Sequence, residues 1–221
     1  MAGMAGISGR FVVIEGIDGA GTTTQVARLV DRLRKDKIDA RATREPSDGP
    51  VGTLIRQVLS GRVVVPGGRA PGWTTMALLF AADRVDHVEA EIDPALERGA
   101  VIISDRYDAS SLAYQSVTSG GGGQAAVDWI VELNRRARRP DLTIVLDVPA
   151  DVAANRREAR GEPAQLYEHN EVQRQLVVFY KNLAKVLPND EVVLVDATVS
   201  VEEVAERVFA VYSAFCSAQT G

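Results

Sequence analysis

A glycine-rich turn that joins a buried strand to a helix is the feature of this sequence that most constrains its fold. Residues 11–24 read F-V-V-I-E-G-I-D-G-A-G-T-T-T. Residues 11–15 predict the strand, and Gly16 and Gly21 frame the turn that follows it. Gly19 permits close approach to the backbone. The N–H groups of such a turn face phosphates at a helix N-terminus, where the helix dipole also favours anions.

The turn departs from the pattern G-x-x-x-x-G-K-[ST] at one position, where Thr22 replaces the lysine. In that pattern the lysine reaches the β- and γ-phosphates, and the hydroxyl that follows it faces Mg²⁺. Thr23 keeps the hydroxyl, but the Thr22 side chain is neutral and several bonds shorter than that of lysine. Two interpretations stay open from this turn alone: a phosphate-binding loop with an altered charge distribution, and a βα turn without a ligand.

Apolar runs alternate with helical patterns along the rest of the chain. Most of these runs are apolar on both faces, as a parallel sheet covered by helices requires. The sequence therefore predicts an α/β fold with a doubly wound parallel sheet of five strands, flanked by helices, whose ligands bind at the carboxyl ends of the strands. The predicted strands are residues 11–15, 38–43, 101–104, 142–148 and 192–195.

Local signals predict where helices and loops begin. The pair Asp93-Pro94 is typical of an N-cap followed by the first helical position. Ser200 and Glu203 form a capping box before an apolar stripe. Residues 60–72 are rich in glycine and proline and predict a surface loop.

Composition limits the domain organisation and the partners. A chain of 221 residues that is 46% apolar can bury the core of one domain, which we place at residues 10–221 after a disordered tail of residues 1–9. The net charge of −5 argues against a protein that binds a nucleic acid polymer, because such proteins carry a basic face. No membrane span is predicted, and the lone Cys216 excludes an internal disulfide. A cytoplasmic protein is therefore expected.

Charged residues follow directly after the predicted strands. The segment T-R-E-P at residues 43–46 follows the second strand, and Asp105-Arg106 follows the third. An acid at a strand tip beside a phosphate loop can hold Mg²⁺ or its waters, and a neighbouring arginine can clamp a phosphoryl group. Asp105 and Arg106 are therefore candidate metal and phosphate ligands, and a solvated ion pair at a strand end is the alternative.

Six segments, in this order and at this spacing, carry a family resemblance. They are E-G-I-D-G-A-G at 15–21, T-R-E-P at 43–46, L-L-F-A-A-D-R at 78–84, D-R-Y-D-A-S-S-L-A-Y-Q at 105–115, R-P-D-L-T-I-V-L-D-V at 139–148 and V-D-A-T at 195–198. Together they resemble the thymidylate kinases over residues 11–208. The resemblance implies a P-loop nucleoside monophosphate kinase fold and an enzyme that uses ATP and Mg²⁺ to phosphorylate dTMP to dTDP.

The resemblance implies roles for residues at the acceptor site. Phe80 would stack on the thymine ring and Arg84 would hydrogen-bond its edge. Ser111 would lie near the base and Tyr114 beside the sugar. His87 matches no role in the family, and we expect it on a helix surface. Further contacts with the acceptor nucleotide are implied for Arg44, Glu45, Pro46, Arg106, Ser110 and Gln115.

The resemblance also implies sites for ATP and the metal. Asp18 would meet the deoxyribose 3′-hydroxyl or the Mg²⁺ shell. Thr23 and Asp105 would hold Mg²⁺. The implied catalytic group is Asp18, Asp105, Arg106 and Arg160. The implied ATP contacts are Gly16, Ile17, Asp18, Gly19, Ala20, Gly21, Thr22, Thr23, Thr24 and Arg157.

The predicted lid, at about residues 155–168, departs from the family pattern. Bacterial relatives with this type of phosphate loop place an arginine late in the lid, where it meets the transferred phosphoryl group. The matching positions here are Ala164, Gln165 and Leu166. Arg156, Arg157 and Arg160 remain, and Arg160 can swing inward when the lid closes.

Three functions are consistent with these departures. One well-placed cation contributes roughly 10³–10⁵ in the rate of phosphoryl transfer, so another arginine must replace the missing charges if the rate is to be kept. We favour a dTMP kinase, because the acceptor residues are present together. The alternatives are a catalytically impaired homologue that binds or senses nucleotides, and a kinase for another nucleoside monophosphate. The resemblance also suggests a homodimer that pairs through the helix at residues 78–87.

Overall fold

Five parallel strands form a sheet in the order β2-β3-β1-β4-β5. The computed structural model describes residues 9–160 and 170–219. All five predicted strands are confirmed, and each ends within two residues of its predicted bounds. The strands are β1 (Arg10–Gly16), β2 (Ala40–Arg44), β3 (Val101–Asp105), β4 (Leu142–Asp147) and β5 (Val192–Asp196).

Helices connect the strands and cover the sheet. Within the described ranges they are α1 (Thr22–Lys35), α2 (Pro50–Leu59), α3 (Trp73–His87), a π-helical turn (Val88–Ile92), α4 (Asp93–Glu97), α5 (Asp108–Val117), α6 (Gly123–Leu133), α7 (Ala150–Arg160), α8 (Asn170–Lys181), α9 (Leu183–Val186) and α10 (Val201–Ala218).

Strand β1 is buried on both of its faces. Val12 and Ile14 belong to one core cluster together with apolar residues of α1, α8 and α10. Phe11 and Val13 belong to a second cluster with residues of the π-helical turn and α4. Because side chains alternate across a strand, the two clusters lie on opposite faces of the sheet. The predicted doubly wound α/β fold is confirmed.

The register of the sheet brings the ends of three strands to one edge. Ile14 of β1 pairs with Asp105 of β3, and Asp105 also pairs with Arg44 of β2. The segments that follow these strands therefore leave the sheet side by side. In an open α/β sheet this is the edge at which ligands bind.

The prediction that Asp93 caps a new helix is wrong. Ile92 and Asp93 both have right-handed helical dihedral angles, and the π-helical turn continues α3 into α4. Pro94 has no N–H group to donate to the preceding turn. The π-helical turn, where the regular α-helical hydrogen bonds are interrupted, lies immediately before it. The Asp-Pro pair thus marks a change of helical pitch and not the start of a helix.

Two other local predictions are confirmed. Ser200 and Glu203 form a complete capping box, in which each side chain bonds the backbone N–H group of the other residue. Residues 60–72 form a largely exposed loop.

Residues 1–8 of the predicted tail lie outside the described ranges. Among the described helices, none is both long and apolar enough to cross a membrane.

Candidate active site

A cavity of about 310 Å³ lies at the carboxyl ends of β1, β2 and β3. Its volume is at the lower end of the range of ligand-binding cavities, about 300–1,000 Å³. Most of the predicted site residues line it, so the sequence predictions converge on one place. Those residues are Asp18, Gly19, Gly21, Thr22, Thr23, Thr24, Arg44, Glu45, Pro46, Phe80, Asp105, Arg106, Ser110, Ser111, Tyr114 and Gln115.

The phosphate loop connects the end of β1 to the start of α1. Gly19 has a φ of 91° and Gly21 a φ of 100°, in the left-handed region that favours glycine. A Cβ atom on Gly19 would lie 2.3 Å from the carbonyl oxygen of Ala153, so α7 packs directly on the loop. Ile17 and Ala20 point into the main core, which leaves only their backbone for contact with a nucleotide.

Thr23 and Asp105 meet at the cavity wall. The Thr23 hydroxyl donates to Asp105 Oδ2 over 2.5 Å. Asp105 Oδ1 is buried and accepts no hydrogen bond from the described residues. A hydroxyl and a carboxylate are oxygen donors that suit Mg²⁺, which usually takes its other ligands from phosphates and water. The described residues contain no cluster of three or more acidic, histidine or cysteine side chains that could hold a metal.

Arg106 sits between the phosphate loop and α5. Its Nη1 donates to the Gly16 carbonyl oxygen over 2.8 Å and to Ser110 Oγ over 3.2 Å, and its Nη2 donates to Asp18 Oδ1 over 2.7 Å. Its backbone φ is 71°, which is strained for an arginine by the order of 1–3 kcal/mol. The guanidinium also lies over the ring of Tyr114. The surrounding structure therefore fixes this cation at the cavity wall.

Glu15 is a buried acid beside the site that the sequence analysis did not identify as functional. It is fully buried at the end of β1 and accepts hydrogen bonds from Tyr107 N, Ser110 N, Ser110 Oγ and Tyr180 Oη at 2.7–3.1 Å. Burial raises its pKa to about 7, and the nearby Arg106 guanidinium and the hydrogen-bond donors oppose that rise. An acid within an apolar strand was the signal available in the sequence. Through Ser110 and Tyr107, Glu15 holds the segment that follows β3.

Phe80 and Arg84 occupy different layers of the acceptor side. Phe80 lines the cavity and packs against the apolar cluster between α2 and α3. Arg84 is only 1% exposed and does not line the cavity. Its guanidinium donates to Ser111 Oγ over 3.1 Å and to Asn134 Oδ1 over 2.5 Å. Arg84 therefore lies behind the wall that Ser111 forms, and its contact with a base edge stays a prediction.

The expectation that His87 lies on a helix surface is wrong. Its side chain is 1% exposed and contacts two residues of the segment at the end of β2 and one residue a helical turn further along. His87 Nε2 is 2.7 Å from Thr43 Oγ1 and 3.6 Å from Glu91 Oε2, and Nδ1 is 3.4 Å from Glu45 Oε1. Burial alone would lower the pKa of His87, but the two carboxylates outweigh it and raise the pKa to about 9. The side chain is turned inward because polar partners there replace water.

The segment after β2 is held by two side chains that the sequence analysis missed. Asp83 accepts hydrogen bonds from Ser47 N over 2.8 Å and from Ser47 Oγ over 2.6 Å. Arg56, which lines the cavity, donates to the Pro46 carbonyl oxygen over 2.8 Å. Arg44 is exposed and pairs with Asp48. Asp83 lay within the segment L-L-F-A-A-D-R, whereas Arg56 carried no local signal.

Helix α7 brings arginines to the outer side of the phosphate loop. Arg157 donates to the Asp18 carbonyl oxygen. Arg156 donates to the Ala197 carbonyl oxygen over 2.9 Å. Arg160 is the last residue of α7, and the structure does not describe its side chain. Residues 161–168 of the predicted lid, with the positions that lack the late arginine, also lie outside the described ranges.

Comparison with known proteins agrees with this geometry. A model of the family "Thymidylate kinase" matches residues 14–208. The "Probable thymidylate kinase" of Pyrococcus abyssi (strain GE5 / Orsay) is 41% identical over 202 residues, which cover 91% of this chain and 95% of that protein. The "Thymidylate kinase" of Thermomicrobium roseum is 41% identical over 206 residues, which cover 90% of this chain and 92% of that protein. The family match spans most of the chain, and it includes every segment that lines the cavity. The chain therefore belongs to the thymidylate kinase family.

Proposed function

We propose that this protein transfers the γ-phosphoryl group of ATP to dTMP and yields ADP and dTDP. The observation that carries the proposal is one cavity that joins a phosphate loop to a fixed arginine and an aromatic side chain. The loop receives the phosphates of ATP, Arg106 receives the phosphate of dTMP, and Phe80 stacks on the thymine ring. The relatives reported above are named as kinases for this substrate, which supports the same acceptor.

The reaction is a direct displacement between the two nucleotides. An oxygen of the dTMP phosphate attacks the γ-phosphorus of ATP, a new P–O bond forms, and the bond between the γ-phosphorus and the oxygen bridging to the β-phosphate breaks. Positioning and charge neutralisation supply most of the catalysis in such a transfer. Arg106 and the loop N–H groups position the phosphates. Mg²⁺, held by Thr23 and Asp105, would neutralise charge on the phosphate oxygens.

The charge that Thr22 does not supply comes, in this proposal, from the arginines of α7. Arg157 already contacts the phosphate loop through the Asp18 carbonyl oxygen. Arg160 follows three residues later, as the last residue of α7. Either guanidinium supplies a permanent positive charge with several donors for phosphate oxygens.

A homodimer in the cytoplasm completes the proposal. Leu78 is 52% exposed and Val85 is 39% exposed, although both belong to α3. They are seven positions apart, which is about two helical turns, so they lie on the same side of the helix. An apolar stripe on that side supports pairing of two copies through α3.

The decisive experiment measures dTDP formed by the purified protein from ATP, Mg²⁺ and dTMP, beside its Thr22→Lys variant. We expect wild-type turnover well above the rate without enzyme. A wild-type protein that is inactive where Thr22→Lys is active would instead support the impaired homologue. Replacing dTMP by dUMP, dCMP or AMP tests the third function, and a preference for dTMP is expected.

A further inference from the structure

We propose that His87 is a positioning residue for the acceptor nucleotide, which it serves through Glu45, Arg84 and Ser111. The inference rests on the proposed function, because it concerns the same dTMP site. His87 does not line the cavity itself. It lies behind the cavity wall. A series of polar contacts connects it to residues that line the cavity.

The line of contacts runs from α3 to α5. His87 Nδ1 lies 3.4 Å from Glu45 Oε1. The other oxygen of that carboxylate, Oε2, lies 2.7 Å from Arg84 Nη2. The same nitrogen of Arg84 donates to Ser111 Oγ over 3.1 Å. Ser111 and Glu45 both line the cavity, so the position of His87 is transmitted to two of its walls.

Burial makes these contacts strong constraints. The side chains of His87, Glu45 and Arg84 are each no more than 2% exposed. A buried carboxylate that loses one of its two cationic partners is left partly uncompensated, and it moves toward the remaining cation or toward water. Loss of the imidazolium therefore changes the pairing of Glu45 with Arg84. The change reaches the dTMP side of the cavity and not the phosphate loop.

The charges around His87 favour its protonated form. Glu45 and Asp48 approach from the segment after β2, Glu91 approaches from the π-helical turn, and Arg84 lies one turn earlier on α3. As an imidazolium, His87 donates from both ring nitrogens. If the neutral ring keeps its proton on Nδ1, the lone pair of Nε2 faces the Glu91 carboxylate. The repulsion between them disfavours the neutral form of His87 at this place.

The test compares dTMP binding to the full-length wild type and to His87→Gln. Calorimetry without ATP gives the dissociation constant for dTMP at pH 7 and at steps up to pH 10. At pH 7 we expect His87→Gln to bind dTMP about tenfold more weakly, the effect of one hydrogen bond to a charged group. We expect wild-type binding to weaken as the pH rises through about 9, where His87 loses its proton. The variant lacks this histidine-dependent step, while titration of the thymine ring affects both proteins equally.

A kinetic split separates positioning from a general structural role. In His87→Gln we expect the KM for dTMP to rise while the KM for ATP stays within about twofold. Equal changes in both KM values, together with lower thermal stability, would show that His87 only supports the fold. A dTMP dissociation constant and pH profile identical to the wild type would also overturn the inference.

A second pair of variants covers the case in which His87→Gln does not fold. Glu91 is half exposed and pairs with His87, whereas the neighbouring Glu89 is exposed and makes no contact of this kind within the described residues. Glu91→Gln should move the alkaline weakening of dTMP binding to lower pH, and Glu89→Gln should leave it in place. An unchanged profile in Glu91→Gln overturns the inference. Tight dTMP binding without turnover in the wild type would remove the kinase proposal alone.

Discussion

Arg106 Nη2 lies 2.7 Å from Asp18 Oδ1, so a guanidinium that follows β3 is joined to a carboxylate in the phosphate loop. This ion pair connects the two halves of the cavity. The same guanidinium also donates to the Gly16 carbonyl oxygen. Its planar fork, which presents several donors at fixed angles, allows these contacts at once.

We expect Arg106→Lys to weaken the acceptor site. A lysine ammonium is a single point of charge and cannot reproduce the fork, so the KM for dTMP should rise about 10- to 100-fold, as for loss of a charge-assisted contact. Steady-state kinetics with dTMP varied at saturating ATP measures the effect. Arg135→Lys is the matched control, because Arg135 pairs with Glu132 on the exposed surface of the protein. A larger rise in the KM for ATP than for dTMP would contradict the assignment.

Thr23 and Asp105 should set the requirement for Mg²⁺. Thr23→Val removes the hydroxyl at nearly constant volume, and Asp105→Asn removes the charge. In each variant we expect the Mg²⁺ concentration for half-maximal turnover to rise at least about tenfold. Each change removes or neutralises an oxygen ligand of the metal. Thr23→Ser keeps the hydroxyl and serves as the control. Titration of turnover against free Mg²⁺ gives the answer, and superimposable curves for all four proteins would count against this metal site.

Glu15 should make stability depend on pH. Its folded-state pKa of about 7 lies above its ordinary value of 4.5, so the folded protein holds this proton more tightly than the unfolded chain does. The corresponding stability is fully present below pH 4.5 and is lost as the pH rises through about 7. Thermal unfolding between pH 4.5 and pH 7 should therefore show a decline in the wild type that Glu15→Gln lacks.

The glutamine at this position should also destabilise the fold. At pH 5 the Glu15 carboxyl is protonated, and its Oε2 can donate one hydrogen bond and accept another from the hydroxyls of Ser110 and Tyr180. The glutamine NH₂ group at that place only donates, so one of these hydroxyls loses its acceptor. The free energy of unfolding should fall by about 1–3 kcal/mol at pH 5, the penalty for a buried donor without an acceptor. Glu132→Gln, at an exposed position, is the matched control. Equal stability of Glu15→Gln and wild type across this range would show that the buried carboxyl does not constrain the fold.

The strands and the place of the site were predictable because strong local signals specify them. An apolar run such as residues 101–104 can lie only in the interior, and parallel strands bring the segments that follow them to one edge. The pairing of Asp105 with both Ile14 and Arg44 realises that expectation. The backbone conformation of the glycine-rich turn was likewise predictable, since Gly19 and Gly21 take left-handed conformations.

The buried polar network was not predictable, because tertiary contacts reverse the usual pattern of α3. Leu78 and Val85 are exposed on this helix, whereas Asp83, Arg84 and His87 are buried. Helical periodicity places apolar side chains inside, so it gave no signal that His87 is buried. The partners that satisfy these polar groups come from distant segments of the chain. Only the fold shows that each of these buried polar side chains has a polar partner beside it.

The origin of the missing positive charge can be resolved with a double-mutant cycle between Thr22 and α7. If the Arg157 guanidinium neutralises the phosphates in place of a lysine, Arg157→Met should lower kcat more strongly in the wild-type background than beside Thr22→Lys. The coupling between neighbouring groups of this kind is about 0.5–3 kcal/mol, or roughly 2- to 150-fold in rate. Arg174→Met is the matched control, because Arg174 pairs with Glu171 on the exposed surface of α8. Additive effects of Arg157→Met and Thr22→Lys would exclude Arg157, and the same cycle with Arg160→Met would then test the next turn of the helix.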